Sequence, residues 1–107
     1  MLIKTPKFEI NDLVTVEYYK IKDSKLPSFT GKVVYIFKKF EIPSKKKLIK
    51  YYGTNILNPK YGILFGPMFE DRIVIKKDNE KKIYAIFPMA GYGRYFTIKL
   101  NIRESNL

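Results

Sequence analysis

The feature that most constrains this chain is its patterning. Apolar residues alternate, or run in stretches of five to eight, and each stretch is broken by Gly, Pro, Asn or Asp. Alternation puts successive side chains on opposite faces of an extended strand, and no stretch sustains the spacing of an amphipathic helix. Residues 13–19 set Val14, Val16 and Tyr18 against Leu13, Thr15 and Glu17, which predicts a strand with one face on a core. The turn after it is polar, with Asp23, Ser24, Lys25 and Pro27. Gly31 opens a second strand over residues 32–40, where Val33, Tyr35 and Phe37 oppose Val34 and Ile36. Both sets are apolar, so this strand is predicted at the sheet centre. Residues 72–77 and 81–87 flank the polar connector Asp78-Asn79-Glu80 and read as an antiparallel hairpin. Gly91 and Gly93 make a turn before a last strand, residues 95–102, in which Phe96, Ile98, Leu100 and Ile102 alternate. Residues 48–52 are expected to return as a strand. Gly53, Asn55, Asn58, Pro59, Gly62, Gly66 and Pro67 make the next stretch irregular. Helix is expected only as a turn or two near Pro67 to Asp71.

Five or six short antiparallel strands in 107 residues make one domain, residues 1–107, and favour a small barrel over a sandwich. The predicted class is all-β: a small SH3-like antiparallel barrel with a long basic hairpin loop, an OB-like barrel being the second choice. The loop is residues 38–50, which hold Lys38, Lys39, Lys45, Lys46, Lys47 and Lys50 against the single acid Glu41, with Pro43 and Ser44 between them. It is predicted to project into solvent or into a partner.

Composition then narrows the chemistry. Cysteine and histidine are both absent, which removes thiolate metal sites, disulfides, the cysteine nucleophile and the usual general base near neutral pH. No enzyme activity, cofactor, metal or small-molecule substrate is expected. Lysine and arginine number 21 against 10 acids, a net charge of +11. A fold gains nothing from that imbalance, which only adds self-repulsion, so a polyanionic partner is its simplest explanation. Aromatic residues are 16% of the chain, enough to imply a packed core and to exclude a disordered basic tail. No apolar run approaches the ~20 residues that span a bilayer, and residues 1–7 lack a signal peptide's apolar stretch. Lysine greatly outnumbers arginine, and Ile, Tyr, Phe and Asn are abundant, as an AT-rich coding sequence produces. That bias points to an organelle, an AT-rich microbe or a virus.

Candidate binding residues follow from the charge. A lysine arm at residues 38–50 can settle along phosphates and release counterions, the bland alternative being a solvated loop that keeps the chain soluble. Lys20, Lys22, Lys25 and Lys32 would widen that surface. Lys60 lies beside Tyr61, and Lys50 beside Tyr51 and Tyr52. These tyrosines either stack on unpaired bases or cap the core. Arg94 and Arg103 are candidate phosphate forks, since a guanidinium matches two oxygens at once. The run Gly91-Tyr-Gly93-Arg94-Tyr95 lacks the strand-to-helix context of a phosphate loop and reads as a turn. Glu70-Asp71 and Asp78-Asn79-Glu80 lack the pattern of a calcium loop and read as ordinary turns.

Several phrases also carry a family resemblance. Phe8-Glu-Ile-Asn-Asp12-Leu-Val14-Thr-Val16 resembles the opening of many SH3-like ribosomal and translation proteins, with Asn11 where glycine is usual. Phe29-Thr-Gly31-Lys-Val33-Val34 is similar to the phenylalanine, acidic residue, glycine and valines of the bacterial-type large-ribosomal-subunit protein nineteen family. Gly62, Phe65 and Pro67, followed by Ile73, Ile75, Lys76 and Lys77, resemble its Gly-rich and Ser-Pro segment leading into a basic strand. Lys81-Lys82-Ile-Tyr84 resembles its closing strand. The likeness runs in order from Phe8 to Phe87. It implies a non-catalytic component of the large ribosomal subunit that contacts ribosomal RNA and neighbouring ribosomal proteins near the subunit interface. With the coding bias, it places the chain in the mitochondrion, the alternative being the cytoplasm of an AT-rich microbe or of a virus's host. Two other functions compete: an accessory subunit of a respiratory complex or virion, with the charge facing acidic lipid or protein, and a phage-encoded regulatory protein.

Overall fold

A computed structural model describes residues 6–19, 26–77 and 83–103. The elements are β1 (Leu13–Tyr18), β2 (Phe29–Phe37), α1 (Lys45–Tyr52), 3-10 turns at Thr54–Leu57 and Pro59–Phe65, β3 (Arg72–Lys77), β4 (Tyr84–Pro88), a 3-10 turn at Met89–Gly91 and β5 (Phe96–Ile102). All strands form one antiparallel sheet in the order β4-β3-β2-β1-β5. The last strand returns to pair with the first, so β1 is an inner strand although it begins the fold. The hairpin predicted around residue 79 is β3 with β4; its connector Asp78-Asn79-Glu80, like Lys20, Lys22, Asp23, Ser24, Lys25, Lys81 and Lys82, lies outside the described residues.

The sheet curls on itself into a small all-β, barrel-like fold, as the patterning predicts. Phe87 on the β4 edge and Phe96 on the β5 edge meet with ring centroids 4.9 Å apart over one core. That core takes Val14 and Val16 from β1, Val33 from β2, Ile73 and Ile75 from β3 and Ile98 from β5. Val14, Val16, Val33 and Ile75 are fully buried, each worth about 1.5–3 kcal/mol relative to exposure. The alternation in β1 and the start of β5 is therefore the register of a half-buried strand.

β2 is the central strand, but its faces differ from the simple alternation expected. A bulge falls between Val33 and Tyr35: Val33 pairs with Ile75, Tyr35 with Val74 and Ile36 with Ile73. The extra residue resets the pleat, so Ile36 joins Val33 on the first core, while Val34, Tyr35 and Phe37 turn to a second one. The second core lies on the sheet's outer face, where Phe37 and Val74 pack against Leu48 and Tyr51 of α1, with Ile56 and Met68.

Residues 38–50 thus differ from the projecting hairpin loop expected. The connection from β2 to β3 is long and basic, but Leu48–Tyr52 is helix rather than strand, and α1 covers the sheet instead of leaving it. No helix forms at Pro67 to Asp71. Two close approaches fix the sheet's register. Asn11 takes the left-handed conformation, φ 79°, that a turn there requires, and its N–H donates to the Val33 carbonyl at 2.7 Å. Gly31 lies between β1 and β3, paired with Val14 and Lys77, where a Cβ would stand 2.4 Å from the Lys76 carbonyl oxygen. Among the described residues, no helix is long and apolar enough to cross a membrane.

Candidate nucleic-acid interface

The basic surface is organised by α1. Ser44 caps it in an extended conformation, its hydroxyl accepting the Lys47 N–H at 3.4 Å, and Gly53 ends it at φ 92° with its N–H on the Ile49 carbonyl. Eight residues are too few to hold a helix in water by propensity. Packing supplies the rest: Leu48 is fully buried, Tyr51 is 8% exposed, and Ile49 and Tyr52 are half-buried against the same core. Burying that side turns Lys45, Lys46 and Lys50 outward, and leaves Lys47 half-buried at the margin.

The electrostatics of α1 are one-sided. Its first turn holds Lys45, Lys46 and Lys47 and no acid, at the end where the helix dipole is already positive. Lys60 is exposed on the second 3-10 turn, whose Tyr61 packs on the same core, and its N–H donates to the Asn58 side chain at 3.1 Å. None of Lys45, Lys46, Lys47, Lys50 and Lys60 forms an ion pair with a described residue. Three rest over aromatic rings instead: Lys47 Nζ is 5.1 Å from the Tyr35 centroid, Lys50 5.3 Å from Tyr51 and Lys60 5.0 Å from Tyr61. The ring faces orient the ammonium groups without neutralising them.

The tyrosines beside those lysines belong to the core. Tyr51 stacks on Tyr35 with centroids 5.5 Å apart and meets Tyr84 edge-on at 4.9 Å. Tyr52 accepts a hydrogen bond from Arg72 Nη1 at 3.0 Å, and Tyr61 packs on the second core. Arg72, held beneath α1 in this way, keeps its buried Nε without a partner among the described residues.

The remaining sequence candidates do not join this surface. Lys38 and Lys39 are exposed just after β2, but they line a groove with Glu41, Glu70 and Asp71, and the Lys39 N–H donates to Asp71 Oδ1 at 2.9 Å. Glu70 lies in a bend before β3, and Asp71 tethers the segment after β2 through this long-range hydrogen bond. Arg94 is exposed in the turn before β5, its guanidinium 5.3 Å from the Tyr95 ring, and that turn packs on the first core rather than the second.

Arg103 is not a phosphate fork. Its Nε and Nη2 donate to the two carboxylate oxygens of Asp12 at 3.0 and 3.1 Å, and Nη2 also reaches the Lys7 carbonyl. Asp12 is 1% exposed and accepts the Glu9 N–H at 2.8 Å, so Arg103 supplies the countercharge of a buried carboxylate. Hydrogen bonding to Asp12 raises the guanidinium's pKa further, which keeps it committed as a cation there. A lone arginine near the end of a basic chain carries no local sign of such a partner.

Sequence reasoning also missed an exposed aromatic pair. Phe40 and Phe69 are 67% and 83% exposed, with centroids 6.5 Å apart and rings edge to face. Their spacing in sequence gives no hint that they meet. Comparison with protein-family models, with curated proteins and with solved structures found no match.

Proposed function

We propose that this chain is a non-catalytic RNA-binding protein that lays the surface of α1 and the second 3-10 turn along RNA phosphates. The observation that carries the reading is the group of Lys45, Lys46, Lys47 and Lys50 on a helix packed onto the sheet, with Lys60 on the second 3-10 turn, all unpaired with any described acid. Lysines concentrated at the positive end of a helix weaken that helix, and a polyanion laid against them relieves the repulsion. Lysine contacts phosphate as a point charge, so the expected binding is salt-dependent and tolerant of sequence. The order of motifs from Phe8 to Phe87 supports the narrower reading, a structural constituent of the large ribosomal subunit, in the mitochondrion by its coding bias.

The test is a titration with structured RNA at several salt concentrations. Each phosphate contact contributes about 0.7–0.9 to the negative slope of log affinity against log salt. Changing Lys45, Lys46 and Lys47 together to Gln is expected to flatten that slope by about 2–3, with thermal stability unchanged or slightly raised. An unchanged slope, or salt-insensitive binding by the parent protein, refutes the interface. Co-sedimentation of the tagged protein with large ribosomal subunits tests the narrower assignment, which fails if the protein stays at the top of the gradient.

A further inference from the structure

The outer face of the sheet is only half covered. The second core, on which α1 lies, takes residues from β2, β3 and β4 and, among the described residues, none from β1 or β5. Strand alternation identifies the side chains on the open half. Val14, Val33, Ile75 and Ile98 enter the first core, so their neighbours Thr15, Lys32, Lys76 and Lys99 point to the outer face. The register gathers them. Lys32 is directly opposite Lys76, and Thr15 is directly opposite Lys99. Asn101 joins from β5, its Nδ2 donating to Thr15 Oγ1 at 2.7 Å. Lys76 and Lys99 are exposed and form no ion pair with a described residue. The acid described on this half is Glu17, towards the end of β1, so lysines outnumber acids there even before α1 is counted.

This basic face meets the surface of α1 at a cluster of tyrosines. Tyr84 is opposite Lys76 in the register of β3 with β4. Its ring lies 4.9 Å from that of Tyr51, which in turn stacks on Tyr35 at 5.5 Å. Lys50 and Lys47 rest over the last two rings, 5.3 Å and 5.1 Å from their centroids. The path from Lys47 and Lys50 through the three rings to Lys76 is therefore continuous, and every charged group on it is a cation. All three rings belong to the second core, which leaves backbone phosphates rather than stacked bases as what the lysines around them can meet. With strands about 4.8 Å apart and a rise of about 3.4 Å per residue, Lys76 and Lys99 stand about 16 Å apart, three strands across and two residues along. A small anion does not bridge that span; a polymer does.

We propose that RNA bound along α1 continues past the tyrosine cluster onto the open half of the sheet, where Lys76 and Lys99 contact further phosphates of the same molecule. The inference rests on the reading of α1 as an RNA interface and extends it to side chains on β3 and β5. The Thr15 hydroxyl and the Asn101 amide beside Lys99 are hydrogen-bonding groups that suit phosphate and ribose oxygens. The bound RNA is thus longer than α1 alone would cover, and its path across the strands is set by the register that places Lys76 next to Tyr84 and Lys99 next to Thr15.

The test compares three full-length variants with the parent, titrated with one structured RNA at several salt concentrations. Lys76→Gln with Lys99→Gln, both at exposed positions, is expected to flatten the salt slope by about 1.4–1.8. Combined with the Gln changes at Lys45, Lys46 and Lys47, the total is expected to reach about 3.5–4.5. Lys38→Gln with Lys39→Gln removes the same charge at the other end of β2 and is expected to leave the slope unchanged. A parental slope in the Lys76 and Lys99 variant, while the α1 variant still flattens, overturns the extension and leaves the α1 reading standing. An unchanged slope in the α1 variant overturns that reading and the continuous path with it. Equal flattening by the Lys38 and Lys39 variant overturns the proposal too, because net charge alone then explains the effect. So does polyglutamate that displaces the RNA from the parent as well as unlabelled RNA of equal charge does.

Discussion

Replacing Gly31 by alanine should damage this fold through a steric clash between two strands. The new Cβ would stand 2.4 Å from the Lys76 carbonyl oxygen and 2.7 Å from Ile75 Cγ2. Ordinary contact begins near 3.4 Å, so the β2 and β3 backbones must separate by about 1 Å at the point where Gly31 pairs with Lys77 and Lys32 with Lys76. Neither neighbour yields cheaply, because one is backbone and the other is a fully buried side chain. Overpacking of this kind costs about 1–3 kcal/mol. Straining the adjacent ladder bonds adds roughly 1 kcal/mol, and the stiffer unfolded chain offsets about 0.4–1 kcal/mol. The net loss is about 1–3.5 kcal/mol, a sizeable share of the ~5–15 kcal/mol that holds such a domain together. Urea unfolding followed by tyrosine fluorescence, in a chain without tryptophan, reads it directly. Gly62→Ala is the control, since nothing lies within 4 Å of its added Cβ, and its stability should be unchanged or slightly raised. A Gly31→Ala protein within about 0.5 kcal/mol of the parent would refute the close strand approach, and with it the register drawn here.

Arg103→Gln is expected to lower the urea midpoint by leaving the Asp12 carboxylate without its countercharge, while the salt slope of RNA binding stays the same; a flattened slope at parental stability would restore Arg103 to the interface. Lys45→Glu should move two observables in opposite directions. An acid in the first turn of α1 stabilises the helix by about 0.3–1 kcal/mol, while RNA affinity falls; a parallel loss of both would show that the lysine acts through packing. Burial raises the Tyr18 phenol above its ordinary 10.0, so the folded state favours the neutral ring. Stability from this group is present below that ordinary value and is lost as pH rises through the raised one. Alkaline ultraviolet titration should find a late phenol that disappears in Tyr18→Phe, whose unfolding should be less sensitive to alkali; loss of an early-titrating phenol in that variant would refute the assignment.

The strand content and the polarity of the chain were legible locally. Val14 and Val16, Phe96 and Ile98, and the doubly apolar β2 announce a sheet with one fully covered strand, because period two acts on neighbours in sequence. Asn11 and Gly93, both at positive φ, mark turns through their own conformational freedom. Everything that depended on a distant partner was hidden. The run Lys45–Tyr52 carries no helix signal strong enough to stand alone and becomes α1 only because Leu48 and Tyr51 find an uncovered sheet face formed by Phe37 and Val74. One bulge after Val33 then chose which aromatic side chains faced that helix, a choice that alternation within β2 cannot express. Charge divided in the same way. Composition established that the chain is a polycation, but only folding withdrew Arg103 to a carboxylate 91 positions away, gathered the α1 lysines on a packed surface, and brought Phe40 beside Phe69 among acids. A side chain's residue type sets what it is able to bind; the tertiary contacts set what is left for it to bind.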